Sequence, residues 1–246
     1  MKKHLVIPDP HCKVGVPNDR FTWAGKLAKD VDPDVIICLG DWVNMDSLSH
    51  FDRGTMSFEN RRYQKEIIHA QDALERFNKA YGKKKRRMVM LGGNHEHRIT
   101  RFVESNPELD GKMSVRDIGF EDFGWEYHPY EKPVEIDGIL YCHHFPSGVL
   151  GKPISGEHIA SGLLKKTYQS ATVGHSHTWD HAVRGTPTGR HIMGLCAGCY
   201  LDHYEAYAKS TLPLWWKGLV VKHNVHKGVY DLSQYSIQDI RRTYGK

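Results

Sequence analysis

An α/β fold with two β-sheets flanked by helices is expected from three observations on this 246-residue chain. Short apolar runs recur from Leu5 to Val173, helical periodicity lies between them, and turn-separated strands take over after Thr178. The runs are Leu5–Ile7, Val35–Leu39, Met88–Leu91, Ile139–Cys142 and Ala171–Val173, each closed by Gly, Pro, Asp or His. Unbroken apolar runs of this length are the pattern of strands buried on both faces. The spacing predicts helices over Asp19–Asp30, Glu59–Tyr81 and His158–Lys166. In the second, Tyr63, Ile67, Ala70, Leu74, Phe77 and Tyr81 form one apolar stripe at steps of three and four. Further strands are expected at His191–Ala197, Leu214–Val221 and Val225–Tyr230, with a turn at His223-Asn224. Strand–helix alternation followed by a strand-rich tail gives a layered sandwich. No repeat or linker divides residues 1–246, so one domain is expected.

Composition narrows the class. With 39% hydrophobic and 26% charged residues the chain is neither disordered, collagen-like nor of low complexity. A formal charge of +5 permits an anionic partner without requiring one. The start holds only three consecutive apolar residues and no run approaches the roughly 18 of a membrane span. Five cysteines are an odd number and do not form a disulfide framework. Cys196-Ala-Gly-Cys199 lacks the second pair of a Cys₄ zinc site and reads as packing. A cytoplasmic protein with no membrane partner is expected; the oligomeric state is not legible.

The 17 histidines are more telling, because of where they fall. Leu5–Ile7 leads to Asp9-Pro-His11, and Val35–Leu39 to Gly40-Asp41. Met88–Leu91 leads to Gly92-Gly-Asn94-His95-Glu96, Ile139–Cys142 to His143-His144, and Ala171–Val173 to Gly174-His175-Ser-His177. Ligands of open α/β sheets bind beyond the carboxyl ends of strands, so these segments are expected to share one crevice. Carboxylates, an amide and imidazoles suit Mn, Fe or Zn without a thiolate. Residues two apart in an extended segment point the same way, which would aim Asp9 with His11, and His175 with His177. Glycine before Asp41, Asn94 and His175 permits sharp turns and keeps bulk away. Each motif alone is weak; all in order are not.

That ordered set, Asp9-x-His11, Gly40-Asp41, Gly93-Asn94-His95-Glu96, His143 and Gly174-His175-x-His177, resembles the calcineurin-like metallophosphoesterase signature over about two-thirds of the chain. The resemblance implies a four-layer αββα sandwich of two mixed sheets flanked by helices, with two divalent ions about 3.5 Å apart. It implies Mn²⁺ foremost, with Fe, Zn, Ni or Co as alternatives. By the same resemblance Asp9, His11, Asp41 and His177 hold the first ion. Asp41 bridges to a second that Asn94, His143 and His175 complete, and His95 protonates or stabilises the leaving oxygen. The implied reaction is in-line attack by a metal-bridging hydroxide, with the ions neutralising phosphoryl charge.

The substrate is constrained by departures from one branch of that family. The Ser/Thr protein phosphatases carry Gly-Asp-x-Val-Asp-Arg-Gly, whereas this chain has Gly40-Asp-Trp-Val-Asn44-Met45. Asn44 lacks the charge to stabilise an imidazolium, and Met45 cannot grip phosphate. Two histidines in Gly174-His-Ser-His177 resemble the phosphodiesterase and nuclease-like branch. A phosphodiester in a nucleotide or nucleic acid is therefore the leading substrate. A phosphomonoesterase acting on protein or small molecules, or a non-catalytic metal-binding interaction module, is the alternative. Arg98 and His144 are the candidate substrate contacts, with Arg101 beside them. The run Lys83–Arg87 precedes a strand and reads as a solvated loop away from the site. Trp215-Trp216 reads as buried strand aromatics, with base stacking as the alternative. The turn-rich Phe145–Gly156 with Lys152 is expected to rim the pocket, and His50 and His97 have no assigned role.

Overall fold

The apolar runs are continuous because each strand divides its side chains between two cores. In the computed structural model, which describes residues 1–205 and 208–245, the elements follow in order. They are β1 (Lys2–Ile7), α1 (Asp19–Val31), β2 (Val35–Cys38), α2 (Tyr63–Tyr81), β3 (Arg87–Leu91) and α3 (His97–Ser105). Then come β4 (Glu126–His128), β5 (Val134–Ile136), β6 (Ile139–Tyr141), α4 (Ile159–Thr167) and β7 (Ser170–Val173). The chain continues with β8 (Trp179–Gly185), β9 (His191–Ala197), β10 (Gly218–His226), β11 (Val229–Ser236) and α5 (Ile237–Tyr244).

One sheet has the order β11-β10-β1-β2-β3-β4 and the other β5-β6-β7-β9-β8. β1 to β4 pair in parallel and β10 and β11 antiparallel, so the first sheet is mixed. β6, β7 and β9 are parallel between antiparallel β5 and β8. Leu5 and Ile7 of β1 face a core shared with α1 and α2, while Val6 faces the core between the sheets. Ile36 and Cys38 of β2 divide from Val35 and Ile37 in the same way. A third core joins Ile159 and Leu163 of α4 to Ala171 and Val173 of β7. These three cores separate four layers, helices on both outsides and two sheets within, as expected.

Several boundaries differ from expectation. α2 begins at Tyr63 rather than Glu59, because Asn60 takes a left-handed φ of 62° that interrupts a helix. Lys209–Leu214 is a 3-10 turn with Pro213 inside it, so the strand expected from Leu214 starts at Gly218. The hairpin turns at Lys227-Gly228, and His223-Asn224 lies within β10 at a register irregularity, where Asn224 has φ 53°. β4, β5, β8, α3 and α5 are not legible as periodic segments. α3 buries only Ile99, too little for an apolar stripe to be read. Among the described residues no helix is long and apolar enough to cross a membrane.

Candidate metal centre

Strand geometry delivers the motif residues to one edge, and the turns after the strands aim them. Asp9, His11, Asp41, His175 and His177 all have left-handed φ, from 35° to 64°. Convergence of Asp9 with His11 and of His175 with His177 thus does not come from extended alternation, as expected from spacing, but from tight left-handed turns. Asp, Asn and His tolerate that region better than most residues, though it costs on the order of 1 kcal/mol or more each. The glycine expectation holds in a different form at each site. Gly40 needs its φ of 96°. Gly93 and Gly174 are needed for space: a Cβ there would stand 2.1 Å from Asp41 Oδ1 and 2.0 Å from Asp9 Oδ1.

The donors form two sets about Asp41. In the first, His11 Nε2 lies 3.1 Å from His177 Nε2 and 3.6 Å from Asp41 Oδ2, and His177 Nε2 lies 3.3 Å from Asp9 Oδ2. In the second, Asn94 Oδ1 is 2.9 Å from both His143 Nε2 and His175 Nδ1, which are 3.1 Å apart. His143 Nε2 is 3.4 Å from Asp41 Oδ2, so that oxygen faces both sets. Donors about 2.1 Å from one ion and at right angles around it stand about 3.0 Å apart, which is the spacing seen.

Proton positions argue for cations as well. His143 Nδ1 must donate to the Leu39 carbonyl oxygen at 2.9 Å, which in the imidazole form leaves a bare lone pair on Nε2 facing Asn94 Oδ1. The Asn44 amide nitrogen donates to Asp46 at 2.9 Å, so Asn44 Oδ1 accepts from His11 Nδ1 at 3.0 Å. His11 Nε2 is then a lone pair aimed at His177 Nε2. Lone pairs facing lone pairs in a buried site repel unless a positive ion lies between them, and a ligand histidine whose other nitrogen donates to a carbonyl or amide is the usual arrangement.

Charge supports the same fit. Asp9 and Asp41 are fully buried, with carboxyls raised well above the usual range by desolvation and, for Asp41, by Asp9 beside it. Asp9 Oδ1 has no hydrogen-bond partner among the described residues. Burial lowers His175 to about 3 and His177 to about 4, and takes His11 well below its ordinary value, so these rings offer lone pairs at neutral pH. Neutral imidazoles, an amide oxygen and two buried carboxylates, neither in an ion pair with a Lys or Arg among the described residues, suit a pair of divalent ions.

His95 stands apart by its bonds. Its Nδ1 donates to the Asn44 main-chain oxygen at 2.6 Å, and its Nε2 lies 3.8 Å from Asp41 Oδ2. Burial and the Arg98 charge take its pKa well below 6.5. Arg98 Nη1 donates to the main-chain oxygens of Asn44 and Met45, at 2.9 and 3.3 Å, and its Nη2 lies 3.4 Å from His95 Nε2. Glu96, for which the motif alone implies no role, is the brace of the site. Its carboxylate accepts from the main-chain N–H of Asp41 (3.0 Å), Val43 (3.1 Å) and Gly93 (2.7 Å), tying the turns after β2 and β3 together.

His144 is buried beside the second set, its ring 5.2 Å from that of His175 and its Nδ1 without a partner among the described residues. Burial lowers it to about 4. Tyr130 and Trp215, which no motif marks, border the centre: Tyr130 stacks on His97 at 4.9 Å, and Trp215 meets His177 at 4.2 Å between ring centroids. Trp216 instead packs on Trp179 at 4.7 Å. His50 is exposed and contacts Phe51. In the Lys83–Arg87 run, Lys84 and Arg86 pair with Asp32 and Arg87 with Glu126, at the start of β3 and away from the donors. All five cysteines are buried and free.

The calcineurin-like phosphoesterase family model matches residues 2–182 of this chain. No curated protein sequence matches it. Among solved structures the chain is similar to a Pseudomonas putida nuclease MPE, at 13% identity and TM-score 0.41, over 82% of this chain and 78% of that one. It is also similar to TT1561 of Thermus thermophilus, at 10% identity and TM-score 0.46, over 96% of this chain and 99% of that one. The family match spans every motif residue from Asp9 to His177, so the chain belongs to the calcineurin-like phosphoesterases, metal-dependent hydrolases of phosphoric esters.

Proposed function

We propose that residues 1–246 form one domain that hydrolyses a phosphodiester, in a nucleotide or nucleic acid, at a binuclear centre. The donors are Asp9, His11, Asp41 and His177 for one ion and Asn94, His143 and His175 for the other, Asp41 being shared, with Mn²⁺ the leading metal. When bound, the ions supply Lewis acidity to phosphoryl oxygens and bring water to its nucleophilic form near neutral pH. His95 manages the leaving group's proton. Its Nδ1–H bond to the Asn44 carbonyl fixes the tautomer and points Nε2 into the site. In the free site it is neutral; an anionic phosphoryl group beside Nε2 raises its pKa, so it gains the proton it donates only when substrate is present.

The observation that favours a diester is the engagement of Arg98. A monoester phosphate has up to two charges and suits a bidentate guanidinium fork. Here one prong of the fork already donates to Asn44 and Met45 main-chain oxygens, which leaves Nη2, beside His95, for a single phosphoryl oxygen. His144, kept neutral by burial and placed beside His175, is the second substrate contact in this reading. The deciding measurement is Mn²⁺-dependent hydrolysis of bis-p-nitrophenyl phosphate against p-nitrophenyl phosphate. Preference for the diester is expected, and His95→Ala is expected to retain its metal while kcat falls about 10²–10⁴-fold. Preference for the monoester, or metal loss on His95→Ala, would contradict this reading.

A further inference from the structure

We propose that Arg20 of α1 is the positioning residue of the first ion's site, its buried guanidinium holding the Asp9-Pro10-His11 turn in the shape that presents both ligands. This rests on the binuclear centre proposed above and adds a determinant of one of its two ions. The turn cannot hold itself. Asp9 and His11 have φ of 35° and 44°, which costs both of them, and Pro10 between them has no N–H to donate. Its three consecutive main-chain oxygens are bonded from elsewhere in the chain. The Asp9 oxygen accepts from the Tyr200 N–H at 3.2 Å. The Pro10 and His11 oxygens both accept from Arg20 Nη2, at 2.8 and 3.2 Å. Arg20 Nη1 donates to the Pro17 oxygen at 3.2 Å, and the Arg20 main-chain oxygen accepts from the Tyr200 hydroxyl at 2.8 Å, which closes a frame around the turn.

On other counts this is a poor place for a cation. Arg20 is 1% exposed, and among the described residues its guanidinium bonds go to main-chain oxygens and not to a carboxylate. Burying a charge without an opposite partner is destabilising. It also stands in the first turn of α1, where the helix dipole disfavours positive charge. Its face lies over the Phe21 ring, 4.5 Å from the centroid, a contact that an apolar side chain would make as well. What an apolar side chain cannot do is donate. One planar fork reaches three main-chain oxygens, two of them from a single nitrogen. Without it the Pro10 and His11 carbonyls lose these donors, and the His11 ring loses its fixed approach to His177. Asp41 is held separately, by Glu96, and the Arg20 bonds reach none of the turns that carry Asn94, His143 and His175. The effect of Arg20 is therefore confined to one ion.

The test separates the two ions by removing one ligand of each. The full chain carrying His175→Ala keeps the whole first set of donors, and the full chain carrying His11→Ala keeps the whole second set. The Mn²⁺ affinity of each is measured by calorimetry, with folding checked by circular dichroism. Arg20→Met is expected to weaken the Mn²⁺ Kd about 10–100-fold in the His175→Ala chain and to leave it within about threefold in the His11→Ala chain. Arg20→Lys, which keeps the charge but not the fork, serves if Arg20→Met does not fold, with a difference of about three- to tenfold between the two chains expected. Equal weakening in both chains, or none in either, with two ions bound to wild type, would overturn the role of Arg20 and leave the binuclear centre standing. A wild-type chain that binds fewer than two Mn²⁺ would overturn the binuclear centre and this role with it. Ester preference does not enter these titrations, so failure of the diester reading is seen separately, in hydrolysis.

Discussion

Asn44 serves two imidazoles with two different groups. Its side-chain oxygen accepts from His11 Nδ1, while its main-chain oxygen accepts from His95 Nδ1. Asn44→Leu therefore removes the support of a metal-side histidine and leaves that of His95 in place. Mn²⁺ affinity, measured by calorimetric titration, is expected to fall about 10–100-fold, the usual effect of losing such a partner. At saturating Mn²⁺, kcat is expected to stay within about threefold. Unchanged affinity, or a kcat lost beyond recovery by Mn²⁺, would show the division of labour to be wrong. The motifs named the eight residues that the fold brings together, Asp9, His11, Asp41, Asn94, His95, His143, His175 and His177, because residue type and place after a strand mark them. They did not reveal which imidazole Asn44 serves, since spacing brings an amide near two rings without choosing between atoms. Tyr130 and Trp215 lie outside every motif, and only the fold brings them to the centre. Glu96 had its signal, a carboxylate at the end of Gly93-Asn94-His95-Glu96, but its bonds run to main-chain N–H groups that carry no sequence mark.

At the scale of elements, the site is a property of strand ends. β1, β2 and β3 run parallel in one sheet and β6 and β7 in the other, so their carboxyl ends can meet at one edge. Gly174 follows β7, a strand buried throughout, at a point where an added Cβ would stand 2.0 Å from Asp9 Oδ1. Gly174→Ala must therefore displace Asp9 or the His175 turn, and with it the bond from His175 N–H to Asp9 Oδ2 at 2.5 Å. Circular dichroism is expected to report an intact fold, while metal content by elemental analysis falls below one ion per chain. Two bound ions would contradict the close-approach argument. The five buried strands were legible because continuous apolar runs have few other uses. The short strands β4 and β5, three residues each, and the half-exposed β8 carry too little apolar pattern to be read.

The two sheets meet across a core that is not wholly apolar. Lys222 of β10 is fully buried there, its ammonium group bonded to the Thr172 hydroxyl of the opposite sheet and 4.6 and 4.3 Å from the Tyr141 and Tyr230 ring centroids. His4 is buried beside it, its Nε2 donating to Asp137 at 3.0 Å and its Nδ1 accepting from the Tyr141 hydroxyl at 2.8 Å. Burial drives the Lys222 pKa well below 10.5. The unfolded chain then binds the proton more tightly than the folded one between the depressed pKa and about 10.5, so stability rises with pH through that window and Lys222 is a net cost at pH 7. Replacing a buried charge by an apolar side chain of similar length is often neutral or stabilising by about 1–4 kcal/mol. Lys222→Met is accordingly expected to raise the urea midpoint at pH 7 by an amount equivalent to about 1–3 kcal/mol, with the advantage shrinking as pH approaches 10. Mn²⁺-dependent hydrolysis is expected to be unchanged, because Lys222 makes no contact with the donor set. A variant less stable than wild type at both pH 7 and pH 9 would mean that the ammonium group's bond to Thr172 and its place over two tyrosine rings outweigh its desolvation, and that the charge holds the sheets together.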